Sequence, residues 1–373
     1  MESCSIRRET LEMFEVGPCE NSYQMGFLIG QRFSQQIRSR IASDLILQNE
    51  LLPFAQTPQS HSLLQALQHN NRTKFPTYWD ELLGTAHGSG VPFLHILLIN
   101  FRKEILAFIP KGVQSSNADP SEDCSDLLVV SESMAIAAHN EDANVALLGH
   151  TYLIKGILPN GLFFVAYTYA GELPSCAFGF NSLGLGHNLI LKLKPGHMLR
   201  VPQAFTLNSV PPNQDEIVAG GIGRNFVSRD ILEATSIDDA LNRIRSSEVS
   251  VGHSYNLIET STRRTLNVET ASRKRVSVYE VQDENSISRQ QRAAVLEKKS
   301  KEDFLSLLGD NEDRKYPIYM TGPLLHTLCT TVIDLDDQTV SIITGNPKKG
   351  HVSHVFSISQ KSTSCHYNHS NVN

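Results

Sequence analysis

Apolar residues in the first third of the chain recur at steps of four. Met25, Ile29, Phe33, Ile37, Ile41 and Leu45 fall on one stripe, which predicts an amphipathic helix from just after Gly17-Pro18 to a stop at Pro53. Gly26 and Gly30 share one side of its opening turns. Glycine adds nothing to helix stability, so the pair predicts close approach of a neighbouring backbone. Pro76 opens a second helix (77–88, TYWDELLGTAHG) that Gly88 and Gly90 can end, and Pro92 precedes an apolar helical run through Ile105. From Val113 to Asp123 the composition turns to Gln, Ser, Asn, Asp, Pro and Glu, as in an exposed linker.

Beyond the linker the period changes from helix to strand. Short β-branched or aromatic runs recur as DLLVVS, MAIAAH, TYLIK, LFFVAYTYA, AFTLNSV, SYNLIE, TLNVET, RVSVYEV, LCTTVIDL and QTVSIITG, enough for two stacked sheets. Helical patterns intervene at 237–248, with Ser236 and Asp239 at capping-box spacing, at 288–299, and at 300–309, which Gly309 closes. Such an order argues for a layered α+β domain rather than a βαβ series. No G-x-G-x-x-G or G-x-x-x-x-G-K-[ST] string follows a strand, so nucleotide-binding motifs are not expected, and no cofactor is.

Composition narrows the partners. The 373 residues carry 33 Lys and Arg against 39 Asp and Glu, a net charge of -6, which leaves no basic stripe for nucleic acid or anionic lipid. No run approaches the roughly 18 apolar residues of a membrane helix, and the charged start MESCSIRRETLEMFE is unlike a signal peptide, so a cytoplasmic protein without membrane contact is expected. Cys4, Cys19, Cys124, Cys176, Cys329 and Cys365 show no Cys-x-x-Cys spacing, and neither a disulfide framework nor a metal site is predicted. His351, His354, His366 and His369 suggest weak metal affinity by composition alone and are expected in solvent.

Cys124 stands apart because it lies where the linker meets the first strand. After a turn at Ser131–Ser133 the chain returns as MAIAAHNEDAN, so hairpin pairing would bring His139, Asn140, Glu141 and Asp142 to the end of the strand that Cys124 begins. Carboxylates and amides beside a thiol are what acyl transfer uses to hold a nucleophile and substrate.

These residues, Cys-Ser opening a strand and then His-Asn-Glu-Asp, resemble the acyl-CoA:6-aminopenicillanic-acid acyltransferase family, the C45 cysteine peptidases among the N-terminal-nucleophile (Ntn) hydrolases. The stretches 17–30, 84–100, 178–184 (FGFNSLG) and 327–347 resemble other family elements in the same order, closest to plant members. The resemblance implies an αββα sandwich and a zymogen that cuts itself before the nucleophile. Its parts would be a helical leader, 1–123, which stays as a partner after cleavage between Asp123 and Cys124, a catalytic core, 124–350, and a polar tail, 351–373. The freed α-amino group, with a pKa of about 7.7–8.0, then serves as base for the thiol. Asp142 matches the aspartate that holds that amine, Asn208 the residue whose main-chain N–H meets the oxyanion, and His139, Asn140 and His253 are candidates to touch substrate. The implied substrate is an amide of a small molecule or peptide, with acyl-CoA as a further acyl donor.

Two departures from the family pattern stand out. Residues Gly186 to Gln203 look like an insertion before the Asn208 strand, and Val281 runs into Gln282-Asp283-Glu284 where a strand with a His-x-Asn element, the second oxyanion donor, is expected. Asn285 lies in the wrong context to replace it. A gain and a loss together suggest a splice or gene-model variant, and the alternative function is a folded but catalytically inactive one.

Overall fold

The computed structural model describes residues 11–110, 124–183, 203–209, 216–281, 300–313 and 317–358. Asp123, residues 186–202, residues 282–299 with Asn285, and the tail from 359 on lie outside them, as does the linker.

The first amphipathic stripe folds as α1 (Ser22–Arg32) and α2 (Ser34–Ser43), broken at Phe33, followed by a π-helical turn (Leu47–Leu51) and α3 (Leu52–Ala55). Pro53 lies inside the helical run 45–55, just after its π-helical turn, and the run ends at Gln56, so the predicted stop comes three residues early. Then come α4 (Pro58–Lys74), α5 (Pro76–Ser89), ended by left-handed Gly90 as expected, α6 (Phe93–Asn100) and α7 (Arg102–Leu106). The glycine seam is real: a Cβ on Gly26 or Gly30 would run into the carbonyl oxygens of Glu81 or Thr85 on α5, and one on Gly84 would lie 2.7 Å from Phe27 N on α1.

The segment before the linker is not wholly helical. Met13–Val16 form β1, which pairs in parallel with β4 (Thr151–Ile157) and starts an eight-stranded sheet. That sheet continues through β5 (Leu162–Tyr169), β6 (Phe178–Leu183), β7 (Gln203–Ser209), β8 (His253–Glu259), β9 (Arg264–Ala271) and β10 (Arg275–Glu280), all antiparallel. The second sheet holds β2 (Ser125–Val130), β3 (Ala135–Asn144), β11 (Leu325–Asp334), β12 (Thr339–Thr344) and β13 (His351–Ser357), in the order β13-β12-β11-β3-β2. The tail expected from 351 therefore begins with an edge strand, HVSHVFS, which pairs with β12 although its apolar residues do not alternate.

Side-chain parity stacks these elements into four layers. Tyr152, Phe164, Phe205 and Leu257 turn from the large sheet toward the helices before the linker and toward α8 (Arg224–Ile231) and α9 (Ile237–Arg245). Val165, Phe180, Ala204 and Ile258 turn the other way and meet Leu128, Ala137 and Ile333 of the small sheet. Leu127, Ile136 and Val332 face outward onto Phe304 and Leu308 of α10 (Lys301–Leu308), which a Ser300/Asp303 capping box starts. The order helix, sheet, sheet, helix is the predicted αββα arrangement in an α+β fold. No helix among the described residues is long and apolar enough to cross a membrane.

Candidate active site

The β2–β3 register pairs Ser125 with Asn140 and Asp126 with His139, which brings the start of β2 to the end of β3. On β2 the inward positions are Cys124, Asp126 and Leu128; on β3 they are Ala137, His139, Glu141 and Ala143. Polar side chains thus replace apolar ones toward one end of the space between the sheets.

There Cys124, 6% exposed, points its Sγ at Glu141 Oε2 (3.5 Å) and at the main-chain oxygen of Asp142 (3.6 Å). His139, fully enclosed, lies between two carboxylates: Nδ1 is 2.8 Å from Asp126 Oδ1 and Nε2 is 2.9 Å from Glu141 Oε2. Burial pushes the imidazole pKa down, but Asp126 and then Glu141 outweigh it and raise it to about 10. The group is an imidazolium at neutral pH, donating to both carboxylates. Glu141 Oε1 accepts a bond from the Tyr169 hydroxyl, and the large sheet supplies donors to Asp126: Thr206 Oγ1 (3.0 Å), Asn256 Nδ2 (2.7 Å) and Asn208 Nδ2. A line of hydrogen bonds therefore runs from β8 through Asp126, His139 and Glu141 to Cys124 and Tyr169.

Other sequence candidates lie elsewhere. Asp142 turns its carboxylate to the outer face of β3, where Thr327 Oγ1 donates to it, while its main-chain oxygen meets the thiol. Asn140 also faces outward, donating to the carbonyls of Leu308 (2.8 Å) and Ile318 (3.3 Å) and accepting from Thr330 Oγ1. It anchors the outer layer to β3 instead of reaching substrate, because a one-residue step along a strand reverses the face. His253 shares the parity of Tyr255 and Leu257, with its ring 5.2 Å from the Tyr255 ring, so it turns to the helices and away from Cys124. Asn208 is half-buried on the inner face, joined to β2 through Asp126.

Asp126, Tyr169, Thr206 and Asn256 were not candidates from sequence. The signal was available in FTLNS and HSYN, where polar residues fall on the inward parity of strands whose other inward positions are apolar. The remaining described thiols look inert: burial pushes Cys176 and Cys329 well above the usual thiol range, and Cys19 is raised too.

Tyr169 also lines a cavity of about 350 Å³ between α2, α6, α7 and the ends of β3 and β5. Its wall includes Arg40 paired with Glu172 (2.5 Å), Asp44 paired with Arg102, and Asn100. Helices preceding Cys124 in the chain thus enclose a space that meets the thiol network through Tyr169.

Comparison with known proteins adds three findings. A model of the acyl-coenzyme A:6-aminopenicillanic acid acyl-transferase family matches residues 129–286, a span that contains Asp142, Asn208 and Asn256 and begins after Cys124. The chain is 23% identical over 375 residues to the beta-alanyl-dopamine/carcinine hydrolase of Drosophila melanogaster, covering 88% of this chain and 91% of that one. A Caenorhabditis elegans N-acylethanolamine-hydrolyzing acid amidase ortholog of solved structure aligns with TM-score 0.32 and 12% identity over 57% of this chain and 93% of its own, too loosely to support an argument.

Proposed function

We propose that the chain is a thiol-dependent acyl-transfer enzyme that opens amide bonds of small molecules, with Cys124 as nucleophile. One observation carries this: the single described thiol at a strand start lies against Glu141 and the Asp142 main chain, in a buried polar network whose Tyr169 reaches a cavity wall. About 350 Å³ is at the small end for ligand pockets, which favours a compact amide over a long peptide. The Drosophila relative is named as a hydrolase and the matched family for an acyl transfer, two outcomes of one acyl-enzyme that differ in whether water or an amine takes the acyl group.

The reading includes activation by self-cleavage. Cys124 Sγ attacks the Asp123 carbonyl, the acyl group moves from the Cys124 nitrogen to its sulfur, and water hydrolyses the thioester to leave a free α-amine on Cys124 and a carboxylate on Asp123. That amine then takes the thiol proton as substrate is attacked and returns it to the leaving nitrogen. The Asn208 main chain is assigned to meet the oxyanion, a contact whose loss costs about 100- to 1,000-fold; the Asp142 carboxylate, bonded to Thr327 on the outer face, can hold the amine only if the freed terminus turns toward that face. The side-chain amide expected from a strand after Val281 has no free counterpart in Asn256, whose nitrogen donates to Asp126 and Thr206 and whose oxygen accepts from Asn267. The proposal that 186–203 is a variant insertion is open to transcript sequencing; transcripts that all encode it would sink it.

Mass measurement of the purified protein tests the chemistry. Two fragments, 1–123 and 124–373, are expected from the native chain and one intact chain from Cys124→Ala, with amide turnover only in the former. A native chain that stays at 41.4 kDa and hydrolyses amides equally well as Cys124→Ala overturns the assignment.

A further inference from the structure

Three potential ligand atoms of different chemistry meet at the start of β2. Cys124 Sγ, a His139 ring nitrogen and a Glu141 carboxylate oxygen lie within 4.8 Å of one another, all on buried residues. In a tetrahedral zinc site, with Zn–S near 2.3 Å and Zn–N and Zn–O near 2.0–2.2 Å, the S···O edge is about 3.6 Å and the N···O edge about 3.4 Å. Here Cys124 Sγ to Glu141 Oε2 is 3.5 Å and His139 Nε2 to the same oxygen is 2.9 Å. Of the three edges one already fits, the second needs to open by roughly half an ångström, and the third, Sγ to the imidazole nitrogen, lies within 4.8 Å and has to settle at about 3.5 Å.

The surroundings point the same way. His139 Nδ1, the nitrogen turned away from the cluster, is 2.8 Å from Asp126 Oδ1, and Asp126 is itself held by Thr206, Asn208 and Asn256. Glu141 Oε1 is held by the Tyr169 hydroxyl. A carboxylate behind the imidazole and a donor behind the ligating carboxylate are the arrangement that orients metal ligands. Thiolate, imidazole and a single carboxylate select a borderline cation such as zinc over magnesium or calcium. The ligands come from two neighbouring strands, so no Cys-x-x-Cys string announces them.

We infer that Cys124, His139 and Glu141 form a zinc-binding site with its fourth position left to water. Binding takes up one ion and releases the thiol and imidazolium protons to solvent. The consequence for activity rests on the proposed function: an ion on Sγ withdraws the nucleophile, so zinc is a reversible inhibitor. The binding itself does not depend on that function.

The test uses the full chain, stripped by chelator, with zinc uptake followed by equilibrium dialysis and cobalt(II) as a spectroscopic probe of thiolate ligation. One zinc per chain and a near-ultraviolet cobalt–thiolate band are expected. Cys124→Ser should abolish the band, Glu141→Gln should weaken zinc by about tenfold or more, and Cys176→Ser and a His366→Ala/His369→Ala double variant should change neither. Circular dichroism of each variant separates lost ligands from lost fold, and the wild-type cobalt spectrum stands without any variant. No zinc retained, no cobalt–thiolate band, or a band undiminished in folded Cys124→Ser overturns the site. Zinc that binds as expected but leaves amide turnover intact faults the functional assignment of Cys124 and not the site.

Discussion

The two faces of the eight-stranded sheet spend their buried polar groups differently. On the helix side the surface is aromatic and aliphatic, and its most deeply buried ion pair among the described residues, Arg229 with Glu81 (3.1 Å), has its guanidinium between the rings of Tyr78 and Phe164. Both partners are 1% exposed, and they tie α8 to α5. On the inner side the apolar surface of Val165, Phe180 and Ile258 gives way at one end to Thr206, Asn208 and Asn256, which reach Asp126 across the gap between sheets. Burial of charge alone does not separate the two. What separates them is that the inner network ends on a thiol. The Arg229–Glu81 pair locks layers together; the inner carboxylate of Glu141 is held against the proposed nucleophile.

Arg229→Met tests that division most severely. Removing one partner of a buried pair costs about 3–5 kcal/mol because the other charge is stranded. Burial already raises the Glu81 pKa, with Arg229 opposing it, so the variant should regain part of its stability toward acid pH as Glu81 protonates. Glu141→Gln on the inner side should show the reverse profile, a large loss of amide turnover because the group bonded to the Cys124 thiol is altered, with a smaller loss of stability because Asp126 still pairs with His139. Urea unfolding and turnover measured on both variants decide it. If Glu141→Gln unfolds as readily as Arg229→Met while the folded fraction keeps its rate, the contrast between the faces fails.

Next in size is Gly26→Ala. Its methyl would press into the Glu81 carbonyl oxygen, backbone that cannot swing aside, so α1 and α5 must separate at a cost of about 2–3 kcal/mol. Gly161→Ala, where nothing lies within 4 Å but φ is +80°, isolates backbone strain from crowding and should cost about 1 kcal/mol. Equal losses in the two variants would mean that the seam is looser than its geometry implies.

The helix side was largely legible in the sequence because helix period, glycine spacing and proline position are local. The expected contact of Gly26 and Gly30 with a neighbour, the ends of α5 and the cap of α9 all match. Pro53 marks the expected stop because an interior proline usually breaks a helix, whereas here the chain stays helical across it, after a π-helical turn, for two more residues. Strand β1 escaped notice because four residues, MFEV, are too few to show a period. At the site, hairpin pairing was enough to join Cys124 with the His139–Asp142 stretch. It did not say which face each residue takes, and that parity is what sends Asn140 and the Asp142 carboxylate outward and His139 and Glu141 inward. Asn256 and Asp126 meet only because two sheets stack, and that information is not local to any segment.

A third prediction uses pH to sharpen the inner network. His139 has a pKa of about 10 in the fold, held there by Asp126 and Glu141 against burial, and about 6.5 when unfolded. The folded chain binds the proton more tightly, so this contribution to stability is complete below about pH 6.5 and is lost as pH rises toward about 10, by up to about 1.4 kcal/mol per pH unit. Chelator-treated protein unfolded at successive pH values should show that decline, and His139→Gln should flatten it. The same slope in both chains would assign the alkaline loss to other groups.

The smallest expected effect probes whether the outer layer of the small sheet is insulated from the inner one. Ser300 accepts from Asp303 N while Asp303 accepts from Ser300 N at the start of α10, so Ser300→Ala removes a cap worth about 1 kcal/mol. The other end of α10 meets Asn140, whose amide donates to the Leu308 carbonyl, and Asn140 stands between His139 and Glu141 on β3. The two faces of β3 share a backbone, but the cap lies two helical turns from Leu308, and fraying in the first turn need not reach it. The expected result is a lower melting temperature with the same zinc affinity and the same pH slope as the native chain. A weaker zinc site in folded Ser300→Ala would show that α10 sets the position of β3, and the division between a supporting face and a chemical face would then hold for the large sheet alone.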